Sequence, residues 1–526
     1  MEQQIIIPDA EQNAPDFKKR ILSFCHAVLI LIAAYTFVYA LYGVFEHCGY
    51  PPVFLIGTAA LFTLTLVFCL LSGGKLGPHA IAALLFGLIA GLYPFLNGGI
   101  SLFGYVYLHV LVLSYTYFVL SLFENHSRTF AGGILLLDIV KATFVYPFAS
   151  FTALFTSLFQ RSRGSKKLGR SILFVFLGIV VALVLGGIAV ALLSYDPKFK
   201  ELVTIDWDWD DLPEILVRLI LTVPIAALLF GAFVSSRERK VPNLNTPDNA
   251  EKIGTRMQRI PVVVLVIPAF ALLVIYGLFF FTQWDAYMGA FSGHLPASFT
   301  AAEYARSGFF ELCTVAAINA ILGIVMTLFM KQTARISAIL RKTVNTLMAI
   351  ATLILIATAL SKMLLYIRRF DLTVARLLAS TILILIAIGY VASLLSQWIR
   401  QIKVIPVMVI CVSVLLLIVP FVNVRGHIAK YNVDQYLARA EQNVPDNKID
   451  IWYLCDEVAV DSLGSAGVPD AVRLWQSGVL PSDKASQLKK HLRTQYDYLL
   501  RRTASERSIS DIRAINALQA VFGSQP

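Results

Sequence analysis

The stretch "AGGILLLDIVKATFVYPFASFTALFTSLFQ", residues 131–160, decides how the whole chain is threaded. It is apolar enough for a membrane span, yet Asp138, Lys141 and Pro147 interrupt it. A charged residue at the centre of a spanning helix costs about 2.5–3.5 kcal/mol on insertion scales. A helix lying in the interface, or a re-entrant hairpin, avoids that cost. The expectation is therefore that 131–160 does not cross. If it crossed, every later loop would change sides.

Outward from this stretch the chain is a series of longer apolar runs. Of 526 residues, 57% are hydrophobic and 15% charged, and the mean hydropathy is +0.72. A soluble domain is about a quarter charged. Runs able to cross a hydrocarbon core of about 30 Å fall at 21–44, 52–71, 79–97, 100–123, 171–193, 214–234, 260–282, 309–330, 343–364, 376–396 and 404–423. The fold expected is all-α: a polytopic transmembrane bundle (21–424) of about eleven spans, with 131–160 interfacial or re-entrant.

The loops test this threading. With residues 1–20 cytoplasmic, held by Lys18, Lys19 and Arg20, the basic connections "RSRGSKKLGR" (161–170), "RERK" (237–240), "KIGTRMQR" (252–259), "KQTARISAILRK" (331–342) and "QWIRQIK" (397–403) all fall inside. That is the positive-inside pattern. The other side receives the acidic, aromatic "DPKFKELVTIDWDWDD" (196–211), the 283–308 loop and the tail. The exception is "YIRRFDLTVAR" (366–376), with outer arginines at 368, 369 and 376. The net charge of +11 is thus topogenic, and no aromatic-interleaved basic groove points to nucleic acid. The polar start and long first run do not fit a cleavable signal peptide.

Residues 425–526 change character: both charge signs, no membrane-length run and helical spacing of apolar residues. They read as a small all-α exoplasmic domain of several short helices.

Chemical signatures are absent. There is no GxxxxGK[ST], HExxH or GxSxG, so no catalytic, metal or cofactor assignment follows. The six cysteines are scattered, without CxxC or metal spacing, and Cys48 and Cys455 are the pair placed to share a compartment. His109, in mid-span, is expected to face the bundle interior and bond a carbonyl of a neighbouring helix, while His26 and His47 sit near helix ends, at the interface. "DWDWDD" (206–211) lacks the Gly and distal Glu of a calcium loop and reads as a solvated acidic loop with interfacial Trp. Asp138 and Lys141 lie at i,i+3, where pairing lowers the cost of a surface position.

The stretch "FTQWDAYMGAFSGHLPASFTAAEYARSGFFEL" (281–312) resembles a bacterial multi-pass membrane protein family of unknown function, of the domain of unknown function 4153/4173 type. The matching residues include Gln283, Tyr304, Ala305, Arg306, Gly308, Phe309 and Glu311. "LLYIRRFDLTVARL" (364–377) and "IAKYNVDQYL" (428–437) resemble two further elements of that family, with Arg369 and Phe370 as departures, and "IDIWYLCDEVAVDSLG" (449–464) is a looser match. The resemblance covers the C-terminal half and implies a bacterial inner (plasma) membrane location. It implies architecture, not an activity.

Charge at the brink of the membrane suggests where a site could lie. Glu311 falls in the first turn of its helix, where the dipole favours an anion. Arg306, Glu311, Arg368 and Arg369 are expected to form one outer polar cluster, with Glu303 and Asp371 as further counter-ions. Asn319 and Lys362 would continue a polar track inward. Two function classes compete. The first is a non-catalytic scaffold or sensor that meets an envelope protein partner through 425–526. The second is a transporter or flippase-like permease for a small anionic, zwitterionic or lipid-like solute. No inverted repeat supports the second. Membrane lipids are partners in both, and an enzyme acting on lipid ranks third.

Overall fold

Backbone amides in hydrocarbon must find partners within the segment itself, so long apolar runs become helices. The computed structural model describes residues 14–47, 50–98, 101–126, 133–159, 212–241, 259–282, 309–331, 335–399, 401–441 and 463–523. Among these, the helices are α1 (Ala14–His47), α2 (Pro51–Leu71), α3 (Pro78–Asn97), α4 (Leu102–Leu122), α5 (Gly133–Phe144), α6 (Tyr146–Ala149), α7 (Ala153–Phe159), α8 (Leu212–Arg237), α9 (Val262–Thr282), α10 (Phe309–Phe329), α11 (Arg335–Phe370), α12 (Val374–Ser396), α13 (Val404–Ile418), α14 (Val424–Glu441), α15 (Val468–Gln476), α16 (Ser482–Arg501) and α17 (Ile509–Phe522). No strand occurs among the described residues; an isolated parallel bridge joins Ile260 to Met330.

Eight helices, α1–α4, α8, α9, α11 and α12, contain a stretch long and apolar enough to cross a membrane. The apolar stretches of α10 and α13, Leu312–Met326 and Val404–Ile418, are shorter. The expected run 171–193 lies outside the described residues, and the expected count of about eleven is not reached within them.

The 131–160 stretch is three short helices. α5 has 12 residues, α6 four and α7 seven, and 12 residues of helix reach about 18 Å. Each of them alone is shorter than a spanning helix of about 20 residues. The faces of α5 differ from the expected arrangement. Asp138 is turned inward, 2% exposed, while Leu136, Leu137, Val140 and Phe144 face out. Burial of Asp138 within protein, rather than a carboxylate held at the surface, goes with the apolar outer face.

The chain divides into two compact units, residues 1–95, 103–126 and 136–243 in one and 96–102, 127–135 and 244–526 in the other. In the first, α1 packs on α2 and α8, and the 146–159 helices pack on α8. Close approach is made by small residues: a Cβ on Gly87 would overlap the Phe62 ring, and one on Gly231 would overlap the Pro147 carbonyl. Small residues do this at membrane helix interfaces generally.

The second unit has two parts. In the apolar part, Leu265, Ala269 and Tyr276 of α9 meet Met326 of α10, Met330 just beyond it, and Val344 and Met348 of α11. Leu312, Ala316, Leu355, Ile356, Ala359, Met363 and Leu383 form a second cluster along α10, α11 and α12. In the C-terminal part, α14 to α17 enclose a core that includes Ile428, Val433, Tyr436, Leu474, Leu492, Leu499, Leu518 and Phe522. Leu372, Val374 and Leu377, from the α11–α12 turn, pack against that same core.

Candidate functional site

The turn between α11 and α12 is where the second unit joins its apolar helices to its C-terminal ones. Asp371 takes φ of +64°, a left-handed conformation uncommon for a residue with a Cβ. Its surroundings hold it there. The Thr373 hydroxyl caps α12, accepting from the Arg376 amide at 3.3 Å. Arg376 Nη1 donates to the carbonyls of Phe370 and Asp371, and its guanidinium lies 4.3 Å from the Tyr366 ring centroid.

α14 grips this turn with two polar side chains two helical turns apart. The Leu372 amide donates to Asn432 Oδ1 at 2.8 Å, and Asn432 Nδ2 donates back to the Leu372 carbonyl at 2.9 Å. A side-chain amide thus satisfies both backbone groups of one residue. Arg439 Nη2 lies 2.9 Å from Asp371 Oδ1, and the two side chains are 20% and 5% exposed. Burial raises the Asp371 pKa above its usual value, and the Arg439 and Arg376 charges oppose that rise. Desolvation outweighs attraction here, as is common for buried ion pairs.

A second polar contact lies at the start of α14. Arg425, 7% exposed, donates to the carbonyls of Asn97 and Gly98, the latter at 3.0 Å. Asn97 Nδ2 donates to the Pro420 carbonyl at 2.8 Å, and the Ser510 hydroxyl to the Leu96 carbonyl at 3.2 Å. Nearby, Asp511 closes a capping box with Ser508 and pairs with Arg502 at 3.2 Å, both partners almost fully buried.

The residues expected to form the outer cluster are placed as follows. Gln283, Tyr304, Ala305, Arg306 and Gly308, with Glu303, lie outside the described residues, as do the side chains of Phe309, Glu311 and Arg369. Arg368 has an exposed side chain, and its carbonyl lies 3.4 Å from Arg439 Nη2. Asp371, expected to answer Arg368 and Arg369, pairs with Arg439 among the described side chains. Lys362 is half-buried on α11.

Asn319 is buried and bonded at both ends. Tyr276 of α9 donates to its Oδ1 at 2.7 Å, and its Nδ2 donates to Thr352 of α11 at 2.9 Å. The Tyr390 hydroxyl of α12 donates to the Ala316 carbonyl on α10 at 3.1 Å. The amide expected to continue a polar track therefore ties helices together.

The first unit corrects two histidine expectations. His109 is exposed, and its Nδ1 lies 2.7 Å from the Tyr105 carbonyl of its own helix. A His can satisfy itself at i−4, so a mid-span position does not imply an inward one. His26 is buried, stacked on Phe68 at 4.3 Å with Phe230 and Phe233 edge-on. Its place near the start of the expected run 21–44 suggested the interface; packing of α8 on α1 encloses it. His79, unremarked in the sequence, lies 2.8 Å from the Tyr117 hydroxyl and 4.1 Å, ring to ring, from His126. Among the described residues no group of His, Cys, Asp or Glu could hold a metal ion. The Cys48–Cys455 pairing and "DWDWDD" lie outside the described residues.

Asn432 and Arg439 were legible as a pair only in hindsight: seven residues apart, they share one face of α14 with Tyr436 between them. They also lie in or beside the two segments, 364–377 and 428–437, that carried the resemblance, and these segments dock on each other. No curated protein and no solved structure matches the chain. Residues 26–467 match the family described as a domain of unknown function (DUF4153), and the chain, a membrane protein by its apolar helices, belongs to that family.

Proposed function

We propose that this protein is a non-catalytic scaffold or sensor of the bacterial inner membrane. In this reading the N-terminus is cytoplasmic, and the helices of 425–526 are exoplasmic and meet an envelope protein partner. The observation that carries it is the grip of α14 on the α11–α12 turn, through Asn432 on both backbone groups of Leu372 and Arg439 on Asp371. A domain tethered to a membrane only for its location needs no such joint. One that passes a binding event to the membrane helices, or holds a partner at a fixed height above them, does. The bonding of Asn319 to Tyr276 and Thr352 supports the same reading, since an amide committed at both ends is poorly placed to bind a passing solute.

The test has two arms. A C-terminal fluorescent fusion that matures only in the cytoplasm is expected to stay dark; a bright fusion overturns the exoplasmic placement. A photoreactive amino acid at the exposed positions of Leu500 or Ile512 is expected to give one defined protein adduct in intact cells, reduced by Arg439→Ala. No adduct, together with solute or lipid flux across vesicles carrying the purified protein and sensitive to Asn319→Ala, would establish the permease reading instead.

A further inference from the structure

Among the described residues, one end of the second unit's apolar helices carries cations and no carboxylate. Arg259, Lys331, Arg341, Lys342 and Lys403 lie there, and none has an ion pair among the described residues. The Ile260–Met330 bridge brings the chain at Arg259 and Lys331 together, the Lys331 amide donating to the Ile260 carbonyl at 2.9 Å. Val344 packs in the same cluster as Leu265 and Met330, which sets the start of α11 at this level.

The corner made by α11 and the α12–α13 turn is held by side chains from both. The Thr346 hydroxyl donates to Gln397 Oε1 at 3.0 Å, holding the turn against α11. Lys342 Nζ lies 3.7 Å from the Trp398 ring centroid, and Trp398 is 74% exposed. Arg341 Nε is buried and has no hydrogen-bond partner among the described residues. Lys403 stands at the N-cap of α13 and makes no capping bond, so a cation adds to the positive end of a helix dipole rather than answering it.

Below this corner, α13 has no buried residue. Ile410, Val414 and Ile418 are 48–57% exposed along one face of it, an apolar strip on the helix that Lys403 opens.

We propose that this corner binds an anionic phospholipid. Its phosphate-bearing headgroup lies among Lys342, Arg341 and Lys403, the Trp398 indole marks the headgroup boundary, and the acyl chains run along α13. Charge complementarity selects the sign, and continuity with α13 selects a lipid over a free phosphate, which would leave the strip bare. A second copy of this chain is disfavoured, because a two-fold interface on α13 would bring the two cationic corners toward each other.

The experiment is native mass spectrometry of the full-length protein, purified in neutral detergent and titrated with phosphatidylglycerol or phosphatidylcholine. Phosphatidylglycerol is expected to be retained in preference. Lys342→Gln with Lys403→Gln is expected to weaken it about twenty-five-fold, each cation near an anionic surface being worth about fivefold, and to leave phosphatidylcholine unchanged. The paired Arg substitutions, which keep the charge, are expected to retain binding; they serve as the control for folding. Equal retention of the two lipids, a Gln pair that binds like wild type, displacement of phosphatidylglycerol by inorganic phosphate, or a dimer lost in the Gln pair without lipid dependence would each overturn the proposal.

Discussion

α13 and α16 are helices of similar length in the same unit, and they are built inside out relative to each other. α13 is apolar all round and buries nothing. α16 is strongly charged and buries Leu488, Leu492, Tyr496 and Leu499 along one stripe. In water, apolar side chains gain by leaving solvent, so they gather into a core. In lipid that drive is missing, and helices associate through close packing and a few polar bonds. The contrast tells which parts of the second unit are cut for which solvent. It also explains why the α11–α12 turn, the seam between them, is held by buried polar side chains as well as by apolar packing.

The contrast is broken or sharpened first by core truncation. Leu492 is fully buried in the C-terminal core, and Leu492→Ala is expected to cost about 2–5 kcal/mol. Ile410 is 57% exposed on α13, and Ile410→Ala is expected to change stability by under about 0.5 kcal/mol. Hydrogen exchange of the amides of α16 and α13 in detergent reads both. A cost for Ile410 comparable with that for Leu492 would mean that α13 is packed against protein after all.

The seam is next. Arg439→Ala leaves the buried Asp371 carboxylate without its ion-pair partner. With Arg439 one-fifth exposed, the expected cost is about 2 kcal/mol, below the 3–5 kcal/mol of a fully buried pair. It should appear as lost protection in α14 and residues 371–377. Asp371→Asn should cost less, because it removes the desolvated charge itself. The pH dependence has a definite sign. The folded-state pKa of Asp371 is raised, so its contribution is fully present below the ordinary carboxylate pKa and is lost as pH rises through the folded value. Wild type should therefore lose stability relative to Asp371→Asn as pH rises from the acid side toward neutral, and a thermal-unfolding series on the two proteins checks this. A gain of wild type over Asn on the same rise would show that Arg439 and Arg376 outweigh burial.

The smallest effect expected is in the apolar helices. Asn319→Ala removes two interhelical bonds, each worth about 0.6 kcal/mol in a membrane. A loss of about 1 kcal/mol in exchange protection across α9, α10 and α11 is expected. No loss at all would mean that Tyr276 and Thr352 find other partners.

Much of the architecture was legible residue by residue. The 131–160 stretch is divided into three short helices, with Asp138 and Lys141 inside the first and Pro147 at the start of the second. What misled was the direction of side chains. A lone His in mid-span suggested an inward side chain bonded to a neighbouring helix, but His109 bonds its own helix and faces out, while His26, expected at the interface, is enclosed by three Phe rings. Two successive arginines, 368 and 369, drew attention to the turn, yet the working groups there are Asp371, Arg376 and Thr373. Their partners, Asn432 and Arg439, arrive from a helix about sixty residues further along. No local pattern encodes such a meeting.

By itself the sequence determined the helical class and the membrane as solvent for the apolar helices, because these follow from how much apolar surface each segment carries and at what period. Tertiary structure decided which polar residues matter. Asn432 and Arg439 are unremarkable along the chain, and Asp371, Asn319 and His26 carry other expectations there than the roles they take. Each takes its role from a neighbour that only packing supplies, since a buried polar group must be matched by whatever donor, acceptor or ring the fold sets against it.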